Sequence, residues 1–138
     1  MNFQGAIFDM DGTIIDSMSI YRTLGSNFLK KYHITPPYDL HKKIESMTLE
    51  SSAIYFAENF SLNMTPQEVL RQWHEDVAFE YENNVPLKEY TREFLQKLHK
   101  KNIKLCVATL TNQELAQKVL RRLGVLDLFQ FIITAEEV

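Results

Sequence analysis

Two aspartates stand one residue apart at the end of a short apolar run, in "AIFDMDGTIIDS", residues 6–17 of a chain of 138 residues. Read as a strand, the run has a side-chain period of two. Asp9 and Asp11 therefore leave it pointing the same way, toward the crevice at the carboxyl end of a parallel sheet. Gly12 then lets the backbone turn. Two carboxylates in neighbouring but unlike positions can divide the work of phosphoryl transfer. Asp9, nearest the strand, is placed to attack phosphorus and form an acyl phosphate. Asp11 is placed to protonate the leaving oxygen and afterwards to take a proton from the attacking water. The two acids repel each other, and a divalent cation would relieve that repulsion while neutralising the phosphate. Oxygen ligands alone favour Mg²⁺. Asp9 and Asp11 are too few for an octahedral shell, so water, a backbone carbonyl and at least one further carboxylate are expected to join. A calcium loop does not fit, because aligning Gly12 with that loop's invariant glycine puts Ile7 and Met18 at positions that require oxygen ligands.

The elements that would position these acids are legible in the hydrophobic pattern. "GAIF", "IKLCVAT" and "FQFIIT" are short apolar runs bounded by turn or charged residues, and each fits a strand buried on both faces. Helical spacing predicts a helix over Ser17–Tyr32, which Asp16 or Ser17 can cap and "ITPP" stops. Two more are expected over Tyr38–Ser46 and Leu49–Phe60. "TPQE" then offers a capping box, with Thr65 as cap, Pro66 at the first helical position and Glu68 reaching back. Lys88–Lys101 forms another amphipathic helix. Thr111 and Glu114 suggest a second capping box before Leu115, Val119 and Leu120, with Gly124 closing that helix. Strand, helical block, helix, strand, helix, strand is the order of an α/β core interrupted by a helical insertion. The expected boundaries place the core at residues 1–15 and 86–138 and the inserted domain at 16–85.

Nearly half of the residues, 45%, are hydrophobic, which suits one compact core, and 15 basic against 18 acidic residues offer no general attraction to nucleic acid or an anionic membrane. Phosphate binding must therefore be local. The lone cysteine, Cys106, sits in "IKLCVA" and reads as a small buried filler in a reducing compartment, so a cytoplasmic location is expected. Neither a secretory leader nor a membrane-spanning run is indicated. His33, His41, His74 and His99 are scattered without metal-ligand spacing, and Trp73 is a core candidate.

"FDMDGTIIDS" resembles the first motif of the haloacid dehalogenase superfamily, an apolar strand followed by D-x-D-G-T. The resemblance implies a Rossmann-like parallel sheet, here about three strands, with an inserted α-helical cap like that of the phosphoglycolate phosphatase and beta-phosphoglucomutase branch. It makes Asp9 the nucleophile and magnesium ligand, and Asp11 the acid and base that also ligates the metal through its carbonyl. A second aspartate marks the phosphatases and phosphomutases of the family. Met10 and Gly12, within the motif, join the expected phosphate-binding set. The second motif, a hydroxyl residue ending the next core strand, is matched by Thr109, with Leu110 following it, and the helix start at Thr111 and Asn112 would also favour an anion.

The resemblance thus implies a magnesium-dependent phosphatase acting on a small phosphorylated metabolite. A phosphomutase and a non-catalytic phosphate-binding module remain as alternatives. The expected specificity loop, Ser46–Ser52, holds Glu50 and no lysine or arginine, which disfavours a mutase that must grip a second phosphate. The family's third and fourth motifs, a lysine and distal acids, have no match here, since nothing beyond Arg122 is basic and Glu136 and Glu137 come too early. The expectation is the first part of a longer phosphatase. In such a piece "GAIF" becomes an edge strand that invites self-association.

Overall fold

The apolar runs become three strands and the periodic stretches become six helices in a computed structural model, which describes residues 2–137. In chain order these are β1 (Gly5–Asp9), α1 (Met18–Lys31), α2 (Leu40–Ile44), α3 (Leu49–Asn59), α4 (Pro66–Asn83), α5 (Thr91–Lys100), β2 (Lys104–Thr109), α6 (Gln113–Arg122) and β3 (Phe131–Thr134). The strands form one parallel sheet in the order β1-β2-β3, with Asp9 paired to Ala108 and Thr109 to Thr134. This is the expected α/β architecture.

The chain divides into two compact units. One comprises Met1–Met18 with Glu80–Val138, the other Ser19–Phe79. In the first, the two segments that run between β1 and the helices are tied together by backbone hydrogen bonds. Asp16 N–H donates to Pro86 O (2.9 Å) and Lys88 N–H to Ile14 O (2.9 Å), with Ile15 bridged to Leu87. Ile14 and Ile15 are fully buried beneath this junction. The second unit is helical, and its interior is an aromatic cluster. Trp73 packs edge-on to Phe28 (5.7 Å between centroids) and Phe56 (4.9 Å), a geometry that aromatic quadrupoles favour. Gly25 admits Phe56 at close range, since a Cβ there would lie 2.8 Å from the ring.

Local chemistry explains the helix ends. Thr65 and Glu68 form the expected reciprocal capping box, Glu68 N–H donating to Thr65 Oγ1 (3.2 Å) and Thr65 N–H to Glu68 Oε2 (2.8 Å). Helix α6 closes at Gly124, whose φ of 74° is the left-handed conformation that glycine tolerates. Gly124 N–H then reaches Arg121 O (3.0 Å) and Val125 N–H reaches Leu120 O (3.1 Å). The second expected capping box does not form as read. Asn112 is the cap of α6, its side chain accepting from Leu115 N–H (2.9 Å), which frees Thr111 for another partner.

Burial corrects one expectation. Only β2 has the nearly continuous burial expected of all three strands; β1 and β3 alternate, with Ile7 at 73% and Phe131 at 51% exposure. The order places β1 and β3 at the two edges. With strands in this order, the usual right-handed crossover would place both α5 and α6 on one face of the sheet. Leu105, Val107 and Ile132 are buried on that face, and Phe8 meets Phe94 and Phe129 there. Cys106, on the central strand, is buried and free as expected.

Candidate active site

Asp9 is the last residue of β1 and Thr109 the last of β2, so the parallel pairing brings both to the carboxyl end of the sheet. Beyond Asp9 the backbone folds back on itself. Met10 O accepts from the N–H groups of Thr13 (3.2 Å), Ile14 (2.9 Å) and Ile15 (3.1 Å), and Gly12 N–H donates to Ile15 O (2.9 Å). Gly12 takes a φ of 76°, which a residue with a Cβ adopts only with strain. The buried side chains of Met10, Ile14 and Ile15 anchor this turn from below, so Asp11 is presented by a fixed backbone.

Asp11 is the centre of a hydroxyl cluster. Its Oδ1 accepts from Ser17 Oγ (3.1 Å) and from the Tyr81 hydroxyl through a short hydrogen bond. Its Oδ2 accepts from Thr111 Oγ1 (2.9 Å) and, at 3.4 Å, from Thr109 Oγ1. Thr109 Oγ1 in turn accepts from Thr111 N–H (3.1 Å), in the turn that leads to the amino end of α6. Hydrogen bonds to an ionised acceptor are the stronger kind, so four neutral donors make a firm cradle for the carboxylate. Asp9 is exposed and accepts from Thr13 Oγ1 at 3.3 Å. The acid proposed as nucleophile is thus the more accessible of the pair, and the acid proposed to handle protons is the more tightly held.

Of the remaining sequence candidates, Met10 has its side chain fully buried, so what it can present to a ligand is its main chain. Leu110 is 89% exposed, but its apolar side chain has nothing to offer an anion, so it too would contribute its main chain. The structure brings the sequence candidates Asp11 and Thr109 together, and it sets Ser17, Tyr81 and Thr111 beside Asp11, contacts that the sequence did not suggest. Ser17 reads as a candidate helix cap and Thr111 as a capping-box residue, and Tyr81 lies on the helix that follows Thr65. The one available signal was a tyrosine at an interior position, since a buried phenol needs a partner.

The donors on offer to a cation are hard oxygens, which suits Mg²⁺ rather than a soft metal. Among the described residues no group of three or more His, Cys, Asp or Glu side chains is arranged to hold a metal. The Asp11 carboxylate is already engaged by hydroxyls, which leaves the Asp9 carboxylate and the Asp11 carbonyl as the protein ligands that fit. Lys118, the last lysine of the chain, is committed elsewhere. It bonds Glu114 (3.0 Å) and Glu82 (3.4 Å), and these carboxylates hold its ammonium pKa above the ordinary lysine value. No helix among the described residues is long and apolar enough to cross a membrane.

Comparison with known proteins finds phosphatases among the relatives of this chain. A Drosophila melanogaster protein named "Probable pseudouridine-5'-phosphatase" is 24% identical over 111 residues, which are 80% of this chain and 48% of that protein. The "Phosphorylated carbohydrates phosphatase" of Thermotoga maritima is 25% identical over 135 residues, 98% of this chain and 62% of the other. The crystal structure of a candidate beta-phosphoglucomutase, also from Thermotoga maritima, superposes with a TM-score of 0.87 at 25% identity, covering 99% of this chain and 63% of that one. The chain therefore spans about half to two thirds of the length of these relatives. The family model for haloacid dehalogenase-like hydrolases matches residues 6–138, and the chain belongs to that family.

Proposed function

We propose that this chain carries the nucleophile and the acid–base residue of a phosphatase that hydrolyses a small phosphomonoester. The observation that carries the reading is the grouping of the Asp11 carboxylate with the Thr109 and Thr111 hydroxyls at the end of β2, beside an exposed Asp9 ending β1. In the first step an Asp9 carboxylate oxygen bonds to phosphorus while the bond to the leaving oxygen breaks, and Asp11 gives that oxygen its proton. In the second, water attacks phosphorus, Asp11 takes a proton from it, and the phosphorus bond to Asp9 breaks, which returns Asp9 to the carboxylate and Asp11 to the protonated form in which it entered the first step. The Thr109 hydroxyl and the main-chain amides before α6 hold phosphate oxygens; the helix terminus adds roughly 0.3–1 kcal/mol of electrostatic support. Mg²⁺, held by Asp9 and the Asp11 carbonyl, would neutralise charge on the phosphoryl group.

The helical unit Ser19–Phe79, inserted between β1 and β2 in the sequence, serves in this reading as the cap that selects the substrate. Names of relatives that act on a phosphorylated nucleoside and on phosphorylated carbohydrates support a phosphorylated small metabolite as the substrate class. The low charge and lone buried cysteine support a cytoplasmic setting. A phosphomutase is the second reading, favoured by the superposition at a TM-score of 0.87 and opposed by the lack of a cation in Ser46–Ser52. Product analysis separates the two, since only the hydrolase releases inorganic phosphate as its main product. Asp9→Asn in the intact protein is expected to abolish phosphate release from sugar and nucleoside monophosphates in a steady-state assay. Undiminished release by that variant would remove the mechanism.

A further inference from the structure

Tyr81 is fully buried in the last turn of α4, and its hydroxyl donates to Asp11 Oδ1. Its backbone is held as firmly as its side chain. The final carbonyls of a helix have no partner within the helix. Here the Arg122 guanidinium, from α6, supplies one, donating to Tyr81 O (3.0 and 3.2 Å) and also to Val85 O. The phenol therefore approaches Asp11 from a ring that neither packing nor backbone leaves room to move. Ser17, also fully buried, donates to the same oxygen, and Thr111 donates to the other. Donors on both oxygens fix the plane of the carboxylate as well as its position.

We propose that Tyr81 is a positioning residue for Asp11: its buried hydroxyl sets the carboxylate's orientation toward the leaving oxygen. This rests on the reading of Asp11 as the group that protonates that oxygen. Nothing in the argument requires Tyr81 to touch the substrate. An alkoxide leaving from an alkyl phosphate needs a proton during bond breaking, whereas a nitrophenolate does not. A misoriented Asp11 should therefore slow alkyl phosphates and spare nitrophenyl phosphate.

The test compares kcat/KM, which covers only the steps through release of the alcohol, for an alkyl phosphomonoester and for p-nitrophenyl phosphate in the intact protein and in Tyr81→Phe and Asp11→Asn. Tyr81→Phe is expected to lower it roughly 10- to 100-fold for the alkyl ester and to leave the nitrophenyl ester little changed. Asp11→Asn should show the same selectivity more strongly. If Asp11→Asn lowers kcat/KM equally for both esters, the acid–base reading fails and the inference with it. If Asp11→Asn is selective but Tyr81→Phe is not, that reading stands and the positioning role falls. Should Tyr81→Phe not fold, 4-fluorophenylalanine at position 81 fills the space of the hydroxyl without donating a hydrogen bond, and an alkyl-to-nitrophenyl ratio of kcat/KM unchanged by that replacement would equally overturn the proposal.

Discussion

At the scale of single residues, identity constrained roles less than position did. Thr111 and Asn112 both offer an oxygen at the start of α6, and the sequence alone favoured Thr111 as its cap. Asn112 takes that role and Thr111 donates to Asp11. The two substitutions should therefore separate. Asn112→Ala is expected to cost about 1 kcal/mol in thermal or denaturant unfolding and to change turnover little. Thr111→Val strips a hydrogen bond from a charged group, so it should cost about 1–3 kcal/mol in stability and in addition reduce alkyl phosphate turnover roughly tenfold. Equal effects of both substitutions on turnover would show that the two assignments are wrong. The turn at Gly12 was legible, since it adopts a φ of 76°, and so were Asp9 and Thr109 as strand ends, whereas Asp11 lies beyond β1 in that turn and not on the period of the strand. Tyr81 was not, because it lies 70 residues beyond Asp11 in sequence and only the folded chain brings its hydroxyl there.

At the scale of elements, the pattern gave type and order correctly and failed at ends and at faces. Helix α5 starts at Thr91 rather than Lys88, since Tyr90 adopts a φ of 64° that no glycine or asparagine signals in advance. Helix α2 is confined to Leu40–Ile44, shorter than the stretch from Tyr38 to Ser46 that periodicity suggested. Apolar composition made all three strands read as buried, yet exposure depends on which strands are edges and on which face the helices cover. Two glycines outside the site provide tests. Gly124→Ala should destabilise by about 1 kcal/mol through its φ of 74°, although the space there is ordinary. Gly25→Ala should cost roughly 1–3 kcal/mol by a different route, since its Cβ would lie 2.8 Å from Phe56. Combining Gly25→Ala with Phe56→Leu should recover part of that loss in thermal unfolding, and no such coupling is expected for Gly124→Ala.

At the scale of the whole molecule, β1 is a sheet edge whose outward face carries Ile7 at 73% exposure, with Phe131 and Ile133 on the same side. Edge strands of this kind pair readily with other chains. The 138-residue chain by itself is therefore expected to self-associate in light scattering, and Ile7→Lys to reduce that association. A stable monomer at all concentrations would contradict this. The central claim concerns the opposite side of chemistry, covalent attack by Asp9. The direct measurement is to expose the protein to labelled acetyl phosphate with Mg²⁺ and map the phosphorylated peptide. The account predicts a hydroxylamine-labile label on the peptide containing Asp9, absent from Asp9→Asn and retained, with slower hydrolysis, in Asp11→Asn. A label that persists in Asp9→Asn, or turnover with no covalent phosphate formed, would contradict it.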